Sequence, residues 1–309
     1  MKTILVTGGA GFIGSHLCQR LVKDYQVVCL DSLISGQLKN LKDLQEKKNF
    51  RFIKQDISRP LRFKEPIDEI YNLACPASPV DFPKYPIEIL LTCSTGVKNV
   101  LDLAVKKQAK ILHTSTSEIY GDPLKHPQKE TYWGNVNPIG PRSCYDEGKR
   151  FAESLIENYR KKHKLETKII RVFNTYGPMM RADDGRVIST FVNQALKGKP
   201  LTVNGNGNQT RSFCFVSDMV DGLLKMMASE EKGPINLGNP RELRILDLAR
   251  KILFLTGSKS KIVFRPMPKD DPAKRRPDIT LAKKKLGWEP KVNLEEGLTK
   301  TINYFEKVL

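Results

Sequence analysis

No apolar run in these 309 residues approaches the ~20 that a transmembrane helix needs. The chain also enters a strand at once rather than through a signal peptide. A soluble, cytoplasmic protein with no membrane partner is expected. The six cysteines (Cys18, Cys29, Cys75, Cys93, Cys144, Cys214) form no CxxC pair and have no nearby histidine at metal-ligand spacing. That removes the usual zinc patterns, predicts no metal, and leaves reduced thiols of a cytosolic protein as the simplest reading. His113, on an apolar strand, and His163, in a basic helix end, read as structural. No internal repeat or low-complexity segment is present, which excludes solenoids and arrays. Acidic residues are few beside basic ones, 34 Asp and Glu against 52 Lys and Arg, for a net charge of +18. The lysines are scattered in runs such as "VKKQAK" and "AKKKLG" instead of massed on one recognition helix. A solvated basic surface is therefore expected, and no nucleic-acid partner.

What the chain does contain is 39% hydrophobic residues, enough for one large domain or two unequal lobes. Up to about residue 172, short apolar runs alternate with helical patterns: "TILVT", "QVVCL", "FRFIKQ", "EIYNLA", "AKILHTS" and "TKIIRVF" read as strands. That alternation predicts an α/β fold with a doubly wound parallel sheet, a Rossmann domain over residues 1–174. After Asn174 the loops grow longer and richer in Gly, Pro and Asn. A smaller C-terminal substrate-binding lobe is expected over 175–309, with segments such as "GPINLGN" able to return to the main sheet.

"TILVTGGAGFIGSHLCQRL" runs a strand into Gly8, Gly11 and Gly14 and then into a helix opening on Phe12 and Ile13. Glycines at this spacing let the backbone turn sharply and approach a pyrophosphate at a helix N-terminus. The next strand ends in Asp31, 20 residues after Gly11. An acid there binds the ribose 2′-hydroxyl and repels a 2′-phosphate, which selects NAD over NADP. Asp56, after "FRFIKQ", is placed to reach the adenine edge.

"RSCYDEGKRFAE" sets Tyr145 and Lys149 four apart, on one helical face. A lysine ammonium and a nicotinamide cation both favour phenolate over phenol, which would bring a tyrosine of ordinary pKa about 10 toward use as a base. Alone, YxxxK is common by chance. Downstream of the NAD fingerprint, and preceded by "HTSTSEIYG", it resembles the extended short-chain dehydrogenase/reductase family. That resemblance implies that Thr116 positions a sugar hydroxyl, Tyr145 deprotonates it and Lys149 holds the nicotinamide ribose, with Ile57, Leu73 and Thr92 added to the cofactor wall.

The segments "STSEIYGDPLKHPQKETYWGNVNPIGPRSCYDEGKRFAE", "FNTYGPMMRADDGRVIST", "PLTVNGNGNQTRSF" and "DDPAKRRPDIT" look like the UDP-glucuronic acid decarboxylase (UDP-xylose synthase) family over essentially the whole chain. The resemblance implies a redox-neutral conversion of UDP-glucuronate to UDP-xylose through a 4-keto sugar, with NAD and no metal. It assigns Glu118 to proton transfer at C5 or to ordering water, and Arg142 to the sugar carboxylate. Arg211 and Arg275 fall at the diphosphate and sugar end, Arg186 and Asn174 at the nucleotide pocket. Ser78 is a hydrogen-bond donor in the "ACPASP" wall between nicotinamide and carboxylate. Ser117 stands where 4,6-dehydratases carry the aspartate that expels water. The chain departs from the family's usual "KTNTIGT" at "LTCSTGV", with Leu91 for a lysine and Cys93 for an asparagine. A homodimer through residues 86 to 107 and the Tyr/Lys helix is expected. Alternatives are another nucleotide-sugar 4-epimerase or 4,6-dehydratase, and a non-catalytic NAD-sensing regulator.

Overall fold

Central strand positions such as Ile4, Leu5 and Val6, or Val27 to Leu30, are buried on both faces. Continuous apolar strands of this kind are stable only in a parallel sheet covered by helices on either side. The computed structural model describes residues 1–267 and 274–309 and builds that sheet. Its first six strands are β1 (Thr3–Thr7), β2 (Gln26–Asp31), β3 (Phe50–Lys54), β4 (Glu69–Asn72), β5 (Lys110–Thr116) and β6 (Thr167–Val172). The covering helices are α1 (Phe12–Leu21), α2 (Pro86–Leu91), α3 (Val97–Lys107) and α4 (Ser143–His163). A single π-helical turn, Thr92–Gly96, joins α2 to α3.

Beyond β6 lie β7 (Thr175–Tyr176), β8 (Leu201–Asn204), β9 (Thr210–Ser212), β10 (Cys214–Phe215), β11 (Ile235–Leu237), β12 (Glu242–Arg244), β13 (Ile262–Arg265) and β14 (Lys274–Arg275). Between and after them run α5 (Val187–Leu196), α6 (Val216–Ala228), α7 (Ile245–Thr256), α8 (Thr280–Leu286) and α9 (Leu294–Val308). The main sheet has the order β11-β6-β5-β4-β1-β2-β3, all neighbours parallel. The "GPINLGN" stretch thus supplies the outermost strand of the main sheet. The order reverses between β1 and β4, and at such a switch point the loops leaving the strand ends diverge and open a crevice.

The remaining strands make small sheets, β10 with β7, β12-β9-β14, and β13 with β8. They carry the far wall of the crevice. One apolar core joins this region to the sheet, running from Ile4 and Leu17 through Phe191 and Leu223 to Phe305. α6 packs on α1 within it. Trp288 is fully buried and its indole N–H donates to the Asp218 carbonyl oxygen at 2.9 Å, tying the segment after α8 to α6. The "DDPA" portion of the "DDPAKRRPDIT" motif lies outside the described residues.

Candidate active site

The cleft above the switch point encloses about 650 Å³. Every residue singled out from sequence as catalytic, cofactor-binding or substrate-binding lines it.

The cofactor end is built by close backbone approach. Gly8 has φ +72°, and a Cβ there would lie 2.7 Å from the Ala74 nitrogen. A Cβ on Gly14 would lie 2.2 Å from the Gly8 carbonyl oxygen. Only glycine lets the β1 loop, the β4 loop and α1 meet at this distance. α1 is preceded by Gly11 at its N-cap, with no side-chain cap and no acid in its first turn, so its N–H groups and positive dipole end stay available for an anion. The Asp31 carboxylate accepts from the Ala10 N–H at 3.0 Å and the Leu33 N–H at 2.8 Å. Burial raises its pKa while these backbone donors oppose the rise. Asp56 accepts from the Ser58 N–H at 2.8 Å, and Ile57 is pressed against Gly96, where a Cβ would meet it at 2.8 Å. Leu73 and Thr92 complete this wall. A cradle that a single Cβ would fill, an open helix N-terminus and an acid at the end of β2 together fit a dinucleotide with a free 2′-hydroxyl.

Tyr145 lies in the first turn of α4, stacked on Phe82 with ring centroids 5.0 Å apart. Thr116, at the end of β5, lies beside its phenol and favours the ionised form. The Lys149 ammonium is fully buried, donates to the Thr114 carbonyl oxygen at 2.8 Å and sits 5.9 Å from the Tyr145 ring. Burial, then the Cys75 sulfur, pushes the Tyr145 phenol well above its ordinary range, with Thr116 opposing the rise. A positive charge placed against the phenol is what would bring phenolate into reach.

Glu118 lies two residues after Thr116, whose hydroxyl accepts from the Glu118 N–H at 3.2 Å. Its carboxylate is shared by two arginines from opposite walls, Arg142 just before α4 and Arg275 on β14. One Arg275 contact measures 3.0 Å. Burial opposes ionisation of Glu118, but Arg275 and Arg142 outweigh it and hold its pKa at about 2. The buried Ser117 lies beside it on the same wall. Arg142 also lies over the Phe82 ring at 5.6 Å.

Arg186 pairs with Asp184, its Nη2 2.8 Å from Oδ2, and lies 5.9 Å from the Phe12 ring. The Ser78 hydroxyl donates to the Asp184 carbonyl oxygen, so the "ACPASP" wall is pinned to the opposite side. Arg211 donates to the Thr210 carbonyl oxygen at 2.9 Å, and Asn174 lines the cleft between β6 and β7. His113 is buried against Asn72 at 3.2 Å, and burial holds its pKa well below the ordinary value. His163 is exposed at the end of α4.

Sequence reasoning missed Phe82, the floor under Tyr145, whose aromatic character in "PVDFPKYP" was the available signal. It missed Asp184, two residues before Arg186 in "DDGRV". It missed Asp146 too. Burial, then the Glu118 charge, raises the Asp146 pKa to about 7, and its buried Oδ1 meets no hydrogen-bond partner among the described residues. Among those residues there is also no cluster of His, Cys, Asp and Glu able to hold a metal, and no helix long and apolar enough to cross a membrane.

Residues 5–301 match the GDP-mannose 4,6 dehydratase family. UDP-glucuronic acid decarboxylase 4 of Arabidopsis thaliana is 52% identical over 305 residues, 98% of this chain and 68% of the plant protein. UDP-glucuronic acid decarboxylase 1 of Danio rerio is 50% identical over 309 residues, all of this chain and 73% of the fish protein. Among solved structures, the UDP-glucuronic acid 4-epimerase of Bacillus cereus in complex with UDP-glucuronic acid and NAD superposes with a TM-score of 0.89. It is 30% identical, and the match covers 99% of this chain and all of the epimerase.

Proposed function

The chain belongs to the UDP-glucuronic acid decarboxylases, and from that membership we propose how its own residues convert UDP-glucuronate to UDP-xylose. Gly8, Gly11, Gly14, Asp31 and Lys149 would hold NAD. Bound there, NAD supplies reversible hydride acceptance at the sugar C4 and a positive charge beside the phenol. Tyr145 takes the C4 hydroxyl proton, with Thr116 sharing the hydrogen bond and the Lys149 ammonium favouring phenolate. Once C4 is a ketone, the carboxylate on C5 is β to it. Loss of carbon dioxide leaves an enolate, whose oxygen Thr116 and the protonated Tyr145 would stabilise. A proton from water ordered beside Glu118 restores C5–H, and return of the hydride to C4 with the Tyr145 proton to its oxygen completes UDP-xylose. Ser117 brings no acid to C6, which separates this site from a water-expelling one.

The observation that carries the reading is Glu118 between Arg142 and Arg275. The two guanidinium groups meet from opposite walls on the Glu118 carboxylate, and their remaining N–H donors would serve an anionic sugar entering the cleft. With its pKa held at about 2, Glu118 stays ionised at neutral pH and carries no proton to give. Its assigned role is therefore to hold the arginines and order water, in place of proton transfer at C5. Arg211, Arg186, Asn174 and Ser78 are assigned to the nucleotide and sugar walls. A homodimer through α2 and α4 completes the proposal, since Ile87 is 61% exposed and Phe151 52% exposed on those helices, with Leu90 and Leu91 beside Ile87.

Incubation with UDP-glucuronate and NAD, followed by mass spectrometry, tests the chemistry. A nucleotide product lighter by one carbon dioxide is expected, and a product of unchanged mass would mean epimerisation instead. Tyr145→Phe is expected to slow turnover about a thousandfold while binding NAD as the parent does. Undiminished turnover in that variant would remove Tyr145 from the chemistry.

A further inference from the structure

Two of the six cysteines meet at the cleft wall. The sulfurs of Cys75 and Cys93 are 3.6 Å apart. Cys75 is partly exposed and lines the cleft between Ala74 and Pro76, in the same apolar cluster as Tyr145. Cys93 is buried behind it in the π-helical turn, one residue after Thr92. It has no room to retreat: a Cβ on Gly148 of α4 would already lie 3.1 Å from its Cβ and 3.3 Å from its sulfur. We propose that Cys75 and Cys93 form an oxidisable dithiol that peroxide closes to a disulfide, shutting the cleft.

The balance is two thiols and one hydrogen peroxide giving one disulfide and two waters. Cys75, the one of the two that lines the cleft, attacks a peroxide oxygen, breaks the O–O bond and becomes a sulfenic acid as hydroxide leaves and takes up a proton. Cys93 then attacks that sulfur, and the expelled hydroxide takes the second proton as water. Sulfur loses two electrons and peroxide gains them. The hydrogen bond to Cys93, then burial, raises the Cys75 thiol well above its ordinary range, while the same contact, with the Lys149 ammonium behind it, holds Cys93 below its own. The lower of the two sits at the resolving position, and Cys75 becomes a nucleophile once its proton passes across the 3.6 Å contact to Cys93.

Closure draws the sulfurs from 3.6 Å to about 2.05 Å, and the segments on both sides border the cleft. On one side, Ala74 is in tight contact with Gly8 and Ser78 is bonded to Asp184. On the other, the turn carries Thr92. Cys18 and Cys29 provide a comparison within the same molecule. They too are in contact, but both are fully buried beneath Gly9 and away from the cleft.

The test treats the full chain with hydrogen peroxide, alkylates remaining thiols and maps peptides without reduction. The expected result is a Cys75–Cys93 cross-link, with Cys18 and Cys29 still reduced and turnover lowered at least tenfold until dithiothreitol restores it. Cys93→Ser and, as a second replacement, Cys93→Ala should keep their turnover after the same treatment. The proposal is overturned if Cys75 and Cys93 stay reduced, if Cys75 passes to sulfinic acid without a cross-link, if the variants are inactivated like the parent, or if the cross-link leaves turnover unchanged.

Discussion

Tyr145 and Asp146 are adjacent, and burial perturbs both in the same chemical direction with different consequences. For Tyr145 the raised pKa keeps the phenol protonated until cationic partners are assembled around it. For Asp146 the rise to about 7 is a cost to the fold. Below the ordinary value of 3.8 both folded and unfolded chains hold the proton and nothing is lost. From there up to about pH 7 the unfolded chain ionises while the folded one resists, so stability falls as pH rises and then levels off. Asp146→Asn should therefore be more stable than the parent by a margin that grows between pH 4 and pH 7 in thermal unfolding. A margin independent of pH would show that Asp146 does not titrate across that range. Tyr145, Lys149 and Thr116 were legible because helix periodicity and the end of β5 fix them locally. The partnership of Glu118 with Arg275 spans 157 residues, and no local pattern announces a contact of that reach.

The strands of the main sheet were legible as apolar runs because burial on both faces leaves no choice of residue class. The two- and three-residue strands β7, β9, β10 and β14 were not, since so few residues show no periodicity and their pairing is decided by tertiary packing. The π-helical turn was equally hidden: nothing in "LTCSTGV" distinguishes a widened turn from a continuous helix. α1 gives the sharpest test among the elements. A Cβ at Gly14 meets the Gly8 carbonyl oxygen at 2.2 Å and the Gly9 Cα at 2.8 Å, and neither backbone can yield. Gly14→Ala is expected to weaken NAD binding at least tenfold by calorimetry and to lower the melting temperature. Unaltered affinity would show that the cradle tolerates a wider loop than the one described.

For the assembled molecule, charge and apolar surface act in opposite senses. A formal charge of +18 favours repulsion between copies at low salt, while the apolar residues of α2 and α4 favour their association. The double variant Leu90→Asp, Leu91→Asp is expected to convert the proposed dimer to a monomer in analytical ultracentrifugation. The parent's dimer should be weaker at low ionic strength than at high. An unchanged sedimentation coefficient in the variant would place any dimer contact elsewhere.

The core running from the first strand to the last helix also decides what can be exchanged by recombination. α6 leans on α1, and β11 extends the sheet begun by β1. A breakpoint near residue 174 would therefore divide an interior, and a hybrid that joined the first half of this chain to the second half of a distant relative would inherit mismatched neighbours. Specificity in this fold is better transplanted loop by loop than half by half.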